Sequence, residues 1–195
     1  FNLTYGGVDK EITFRDGRYL VPTTDTAVVP SMISGEYEKY ELDLYRKLLK
    51  PGYKILDIGA NIGVYCIEAS KTIGAKGKIY AFEPVEENLK LLDHNLGLNS
   101  VKNVAVSNSA IGEKEDIIKI YTAKNSIATH SAGAISETFV EVPVTTIDAF
   151  VAKNKLKIDL IKMDIEGYEG AAVEGGLKIL KQQQPILFIE FSSHH

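Results

Sequence analysis

From Lys54 onward the chain repeats one pattern: a short apolar run, then a stretch with apolar residues at helical spacing. The runs are Lys54–Ile58, Lys78–Phe82, 103–106, 159–163 and 186–191. They show little apolar–polar alternation. A strand that is apolar on both sides must be covered on both faces, which requires a parallel sheet between layers of helices. The intervening stretches can supply those layers. Ile62, Tyr65, Cys66, Ala69 and Ile73 fall on one side of a helix that stops at Gly74. Leu89, Leu92 and Leu96 do the same in a helix that stops at Gly97, with Glu86 and Glu87 in the first turn, where they favour the positive end of the helix dipole. The pattern predicts a doubly wound α/β fold with a mostly parallel sheet. At 195 residues and 45% hydrophobic content the chain can bury such a core without a disulfide or metal staple.

Three segments depart from the repeat. Ile12 and Phe14 alternate, Arg15-Asp16-Gly17-Arg18 turns, and Tyr19 and Val21 alternate again, which predicts a β-hairpin. A helix is expected over 36–49, with Tyr37, Glu41, Leu44 and Leu48 on one face and Pro51-Gly52 as its stop. Runs at 117–121 and 139–144, joined by a polar loop at 122–137, read as an inserted hairpin. Beyond it, 146–152 reads as a short helix, and Gly175-Gly176 breaks the helical stretch after Tyr168. The expected division is an N-terminal hairpin and lid segment, 1–35, and a main domain, 36–195. A doubly wound sheet would be expected to continue past 186–191, and no metal site is assigned to His194 and His195.

The chemistry concentrates at three strand ends. Asp57-Ile58-Gly59-Ala60-Asn61-Ile62-Gly63 is a strand, a glycine turn and a helix start, where backbone N–H groups can meet a ligand at close range. Asn61 stands where a dinucleotide fingerprint has its second glycine, so the pyrophosphate cradle is incomplete. Asp57 would repel a phosphate and suits a cationic amine. Glu83, in Phe82-Glu83-Pro84, ends the second strand 24 residues after Gly59, where a carboxylate can accept ribose hydroxyls or cap the next helix. Asp164 and Glu166, in Lys162-Met163-Asp164-Ile165-Glu166-Gly167, end the fourth strand and face the same mouth. They can serve as base, metal ligand or substrate anchor, or as the N-cap of the following helix. The apolar approach to them favours function over decoration, because unpaired charge there is costly.

Charge narrows the partners. With 22 basic and 26 acidic residues the chain carries a formal −4, against a nucleic-acid partner. No apolar run reaches membrane-span length, so no membrane partner is expected. The single cysteine, Cys66, has no internal disulfide partner and is expected in the core, which suits a cytoplasmic location. Asn2-Leu3-Thr4 matches a glycosylation sequon and is read as chance.

Together these motifs resemble the FkbM family of S-adenosylmethionine-dependent methyltransferases. The resemblance runs from about Glu36 to Glu190. It rests on Gly35-Glu36-Tyr37-Glu38, Lys50-Pro51-Gly52, the 56–63 glycine turn, Phe82-Glu83-Pro84, Asn95 with Asn99, Val144-Thr145-Thr146-Ile147-Asp148 and Lys162 to Gly167. The resemblance implies a Rossmann-like fold, S-adenosylmethionine as cofactor, and O-methylation of a hydroxyl on a sugar or glycosylated natural product. It implies that Gly59, Ala60, Asn61 and Gly63 run beneath the methionine part, with Asp57 meeting the ammonium through water. Glu83 takes the ribose, Pro84 faces the adenine, and Asn108, Ser109 and Ala110 hold the adenine edge. A base must take the hydroxyl proton, and Asp164, then Glu166, are the candidates. A divalent metal on the same pair is an alternative, although no metal site is assigned. Tyr37, Glu38, His130 and Tyr168 are candidate acceptor-binding residues, and His130 is also a candidate base. His94 is expected on the surface. The rival readings are a nucleotide-dependent oxidoreductase, a non-catalytic binding module on the same fold, and a nucleic-acid methyltransferase, for which no Asn/Asp-Pro-Pro-aromatic motif is present.

Overall fold

The computed structural model describes residues 9–26, 28–122, 130–131 and 139–190. The sequence first forms the expected hairpin, β1 (Asp9–Phe14) and β2 (Gly17–Pro22), paired antiparallel. Two helices follow, α1 (Val28–Ser34) and α2 (Lys39–Leu48). The central sheet is built from β3 (Lys54–Ile58), β4 (Lys78–Phe82), β5 (Val104–Ser107), β10 (Leu160–Met163) and β11 (Ile186–Ile189), in the order β11-β10-β3-β4-β5. Every pair in it is parallel. Helix α3 (Val64–Ile73) connects β3 to β4, and α4 (Glu86–Leu98) connects β4 to β5. Helix α5 (Ile147–Lys153) precedes β10, and α6 (Glu169–Glu174) and α7 (Leu177–Gln183) lie between β10 and β11, broken at the expected pair of glycines.

Period-2 geometry sorts the strands' side chains into two cores. Ile55, Ile79, Ala81 and Leu160 face one side and pack with the buried residues of α1 to α4 and the hairpin. Leu56, Ile58, Phe82, Ile161 and Met163 face the other, against Ile147, Val151, Ala172 and Ile179 of the later helices. The doubly wound arrangement is therefore as expected. The inserted hairpin is also present: β7 (Asp116–Thr122) and β9 (Phe139–Thr145) pair antiparallel. They form a second sheet with β6 (Ala110–Ile111) and β8 (His130–Ser131), in the order β6-β9-β7-β8. Among the described residues no helix is long and apolar enough to cross a membrane.

The region ahead of the sheet differs in detail from the sequence reading. Helix α1 was not expected; Asp25 caps it, its Oδ1 accepting from Val28 N at 2.7 Å and Val29 N at 2.9 Å. Helix α2 starts at Lys39, not at 36, and buries Leu42 and Tyr45, whereas Leu44 is 52% exposed. The reason is packing: the Tyr45 ring meets Tyr65 of α3 at 4.9 Å and Phe188 of β11 at 5.3 Å, which rotates Leu44 outward. Helix α4 runs through Gly97 to Leu98, and its buried face includes Asn88 and Asn95.

Two asparagines hold the hairpin to the main fold. Asn95 accepts from Leu20 N at 2.6 Å and donates to Ile62 O at 3.0 Å. One turn on, Asn99 accepts from Arg18 N at 3.0 Å and donates to Arg18 O at 2.7 Å. Residues four apart on a helix thus match backbone groups two apart on a strand. At the hairpin's tip, Arg15 and Arg46 both close on buried Glu68 of α3, at 3.0 and 2.6 Å.

Candidate active site

Strands β3, β4, β5 and β10 end at one edge of the sheet, and the turns after them line a cavity there, where doubly wound sheets bind ligands. After β3 the chain reverses with Gly59 at φ 78°, Asn61 at 51° and Gly63 at 93°. Gly59 needs to be glycine for a further reason: a Cβ there would lie 1.9 Å from the Asp164 carbonyl oxygen. The glycine turn is therefore packed against the end of β10, and these two chemistry-bearing segments form one unit.

Glu83, after β4, is 4% exposed. Its Oε2 accepts from Asn61 N at 2.8 Å, and its Oε1 from Val85 N at 3.0 Å and Asn88 Nδ2 at 3.5 Å. Burial pushes its carboxyl up to about 7 in spite of those hydrogen bonds. Glu83 thus ties the glycine turn to the residues that open α4 and lines the cavity.

After β10, Glu166 and Gly167 both take left-handed backbone, φ 53° and 95°. A non-glycine residue in that region costs on the order of 1–2 kcal/mol. Buried Glu169 holds the turn, its Oε1 accepting from Ile165 N at 2.9 Å and Gly167 N at 3.3 Å. Asp164 and Glu166 consequently line the same cavity, as expected, together with Tyr168.

Of the other expected cofactor residues, Gly59, Asn61, Pro84, Ser109 and Ala110 line this cavity, beneath Ile118 and Ile120 of the inserted hairpin. Four do not. Asp57 is fully buried: its Oδ2 accepts from Cys66 Sγ at 3.0 Å, and its Oδ1 lies 3.7 Å from Lys162 Nζ. Burial raises its pKa and Lys162 opposes that. Ala60 is buried under the turn, Gly63 faces Leu92, and Asn108 is exposed. His94 is exposed and Cys66 is buried and unpaired, both as expected.

A second cavity, of about 470 Å³, adjoins the first and shares Asp164 with it. Glu38, Tyr65, Lys162, Phe188 and Glu190 line it. Glu38 sits in left-handed backbone, φ 42°, and accepts from the Tyr65 hydroxyl at 2.5 Å. Tyr37 lies behind it with its ring 6.0 Å from Phe14. Carboxylate oxygens of Glu38, Asp164 and Glu190 lie within 4.8 Å of one another. Burial, with repulsion from Asp164 and Glu38, raises the Glu190 pKa. The side chain of His130 lies outside the described residues; its backbone pairs with Thr122.

Sequence reasoning missed Glu190 and two residues that carried a readable signal, Lys162 and Glu169. The signal for the first was a lysine inside the apolar run Leu160-Ile161-Lys162-Met163. The signal for the second was a carboxylate placed to cap a glycine turn.

The fold is a Rossmann-like α/β fold with a cavity at the carboxyl ends of its parallel strands. The chain belongs to the FkbM methyltransferase domain family, which it matches over residues 57–195. Its fold resembles that of methyltransferase FkbM from Methylobacillus flagellatus KT, with TM-score 0.51, 21% identity, and coverage of 85% of this chain and 44% of that one. It also resembles Trm5b from Pyrococcus abyssi, with TM-score 0.52, 14% identity, and coverage of 89% and 38%. A probable cobalt-precorrin-6B C(15)-methyltransferase (decarboxylating) of Sulfolobus acidocaldarius is 35% identical over 65 residues, 33% of this chain and 34% of the relative. The chain thus spans about a third of that relative's length and under half of either solved structure.

S-adenosylmethionine is the cofactor that goes with this family, and the residues present fit it. The Asn61 Oδ1 is buried at the cavity with no hydrogen-bond partner among the described residues, so a bound donor would satisfy it. Glu83 Oε2 accepts one bond and has a lone pair left for a ribose hydroxyl.

Proposed function

We propose that the chain transfers a methyl group from S-adenosylmethionine to a hydroxyl of a sugar or glycosylated natural product. The observation that carries this reading is the position of Asp164, a half-buried carboxylate that lines both cavities. In this reading Glu83 and Asn61 hold the nucleoside in the first cavity. Asp164 then stands between cofactor and acceptor and takes the hydroxyl proton as the new bond forms. Bound cofactor supplies a methyl group already activated on a sulfonium. The chain's task is to orient the acceptor and remove its proton. Glu166 and Tyr168 border the cofactor side, and Glu38, braced by Tyr65 and backed by Tyr37, borders the acceptor side.

The likeness to Trm5b is one of fold and does not carry an RNA acceptor over to this chain. Glu38, Glu41, Asp164 and Glu190 surround the second cavity, and their charge opposes a phosphodiester backbone. The test is a screen of labelled methyl transfer across sugars and glycosylated natural products, with transfer RNA as the contrasting arm. Transfer to RNA but to no hydroxylated small molecule refutes the reading. A thermal-shift comparison separates the oxidoreductase alternative, because stabilisation by S-adenosylhomocysteine and not by NAD is expected.

A further inference from the structure

Lys162 lies on β10, an interior strand of the central sheet, and is 4% exposed. The register sets it between Asp57 of β3 and Phe188 of β11. Cross-strand neighbours share a face, so it occupies the same buried layer as Ile55, Ala81 and Leu160. An apolar side chain would pack there without the desolvation cost of an ammonium.

Neutralising Asp57 does not account for its geometry. A lysine recruited for that alone would close on the carboxylate at about 2.8 Å. Instead its nearest contact is a hydrogen bond to the Gly59 carbonyl at 2.9 Å. Asp57 and Asp164 stand farther off and nearly equidistant, at 3.7 and 3.6 Å. The Tyr65 ring covers the remaining side, 4.8 Å from Nζ. Burial works against the charge, and the negative groups around it, Asp57, Asp164 and Glu38 foremost, together outweigh it, so the ammonium's pKa lies above the ordinary lysine value.

We infer that Lys162 is a positioning residue, whose ammonium fixes the Gly59 carbonyl of the cofactor turn and the Asp164 carboxylate at one spacing. This rests on the methyltransferase reading of the site. Gly59 and Asp164 both line the first cavity and touch each other across the β3–β10 seam. Lys162 braces that seam from beneath, so the cofactor turn and the candidate base cannot drift apart independently.

The test compares Asp57→Asn with the double variant Asp57→Asn/Lys162→Met, using S-adenosylhomocysteine as the probe in calorimetry and following thermal unfolding in parallel. Lys162→Met alone is expected to melt early, because it leaves the Asp57 charge buried without a counter-charge. Removing both charges is expected to restore the melting temperature to near that of Asp57→Asn. The double variant should still bind the probe at least tenfold more weakly than Asp57→Asn. Equal affinity in the two overturns the inference and leaves Lys162 as a counter-charge only. Wild-type protein that fails to bind the probe refutes the methyltransferase reading itself, a separate outcome. An independent measurement needs no variant to fold: in wild-type protein carrying ¹⁵N at lysine Nζ, the shielded Lys162 resonance should shift when the probe saturates the site. A resonance that stays in place overturns the inference.

Discussion

Replacing Glu83 with Gln tests the ribose assignment through pH. Glu83 titrates at about 7 in the free protein because burial disfavours its charge. A ribose hydroxyl donates to the ionised carboxylate, so binding draws on that form and releases a proton. The ionised fraction is roughly one tenth at pH 6 and nine tenths at pH 8. Affinity for S-adenosylhomocysteine should therefore rise about tenfold over that interval, about 1.4 kcal/mol. Gln keeps an oxygen for Asn61 N or Val85 N and cannot ionise, so its affinity should be low and flat with pH. Ala is the poorer probe, because it also strips those two N–H groups of their acceptor. Stability should move in the opposite sense. A carboxyl raised from 4.5 to about 7 favours the folded state fully below 4.5, and that contribution is lost as pH rises through 7. The pH 5 to 8 loss of stability in wild type should exceed that in Glu83→Gln by about 2.5 kcal/mol. Isothermal calorimetry in buffers of differing ionisation enthalpy reads both the affinity and the proton release. A wild-type affinity that is level across pH 6–8, or a Gln variant with the same slope, refutes the assignment.

Three further outcomes are expected. Gly59→Ala should fail through the fold rather than by filling cofactor space: its Cβ meets the Asp164 carbonyl and its φ of 78° disfavours a side chain, so denaturant unfolding should show a loss above about 2 kcal/mol. Asn95→Ala should free the hairpin edge and cost about 2–4 kcal/mol from the hydrogen bonds left unmade, with hydrogen exchange at the Leu20 amide rising as sharply as global stability falls; native protection at Leu20 refutes the clasp. Asp164→Asn should keep S-adenosylhomocysteine affinity within a few-fold and lower turnover on an identified acceptor by ~10²–10⁴, and undiminished turnover removes it as the base.

The sequence by itself determined the layered α/β fold, because runs that are apolar on both faces can be satisfied only inside a parallel sheet. It also placed the strand-end residues, Gly59, Glu83, Asp164 and Glu166, on one edge, because parallel strands all present their carboxyl ends together. It did not determine what Asp57 does. Its place before the glycine turn suggested a ligand contact, yet tertiary register seats it beside Lys162 and beneath Cys66, sealed from the cavity. The same register turned a lysine that looked out of place in an apolar run into a brace between two turns. Nor could helical spacing choose the buried face of α2, since stripes through Leu44 or through Tyr45 are both regular, and only the aromatic contacts with Tyr65 and Phe188 decide between them. Spacing along the chain reports which side of an element is apolar. Pairing between elements far apart in sequence decides which charge meets which partner, because that depends on distances the local pattern does not contain.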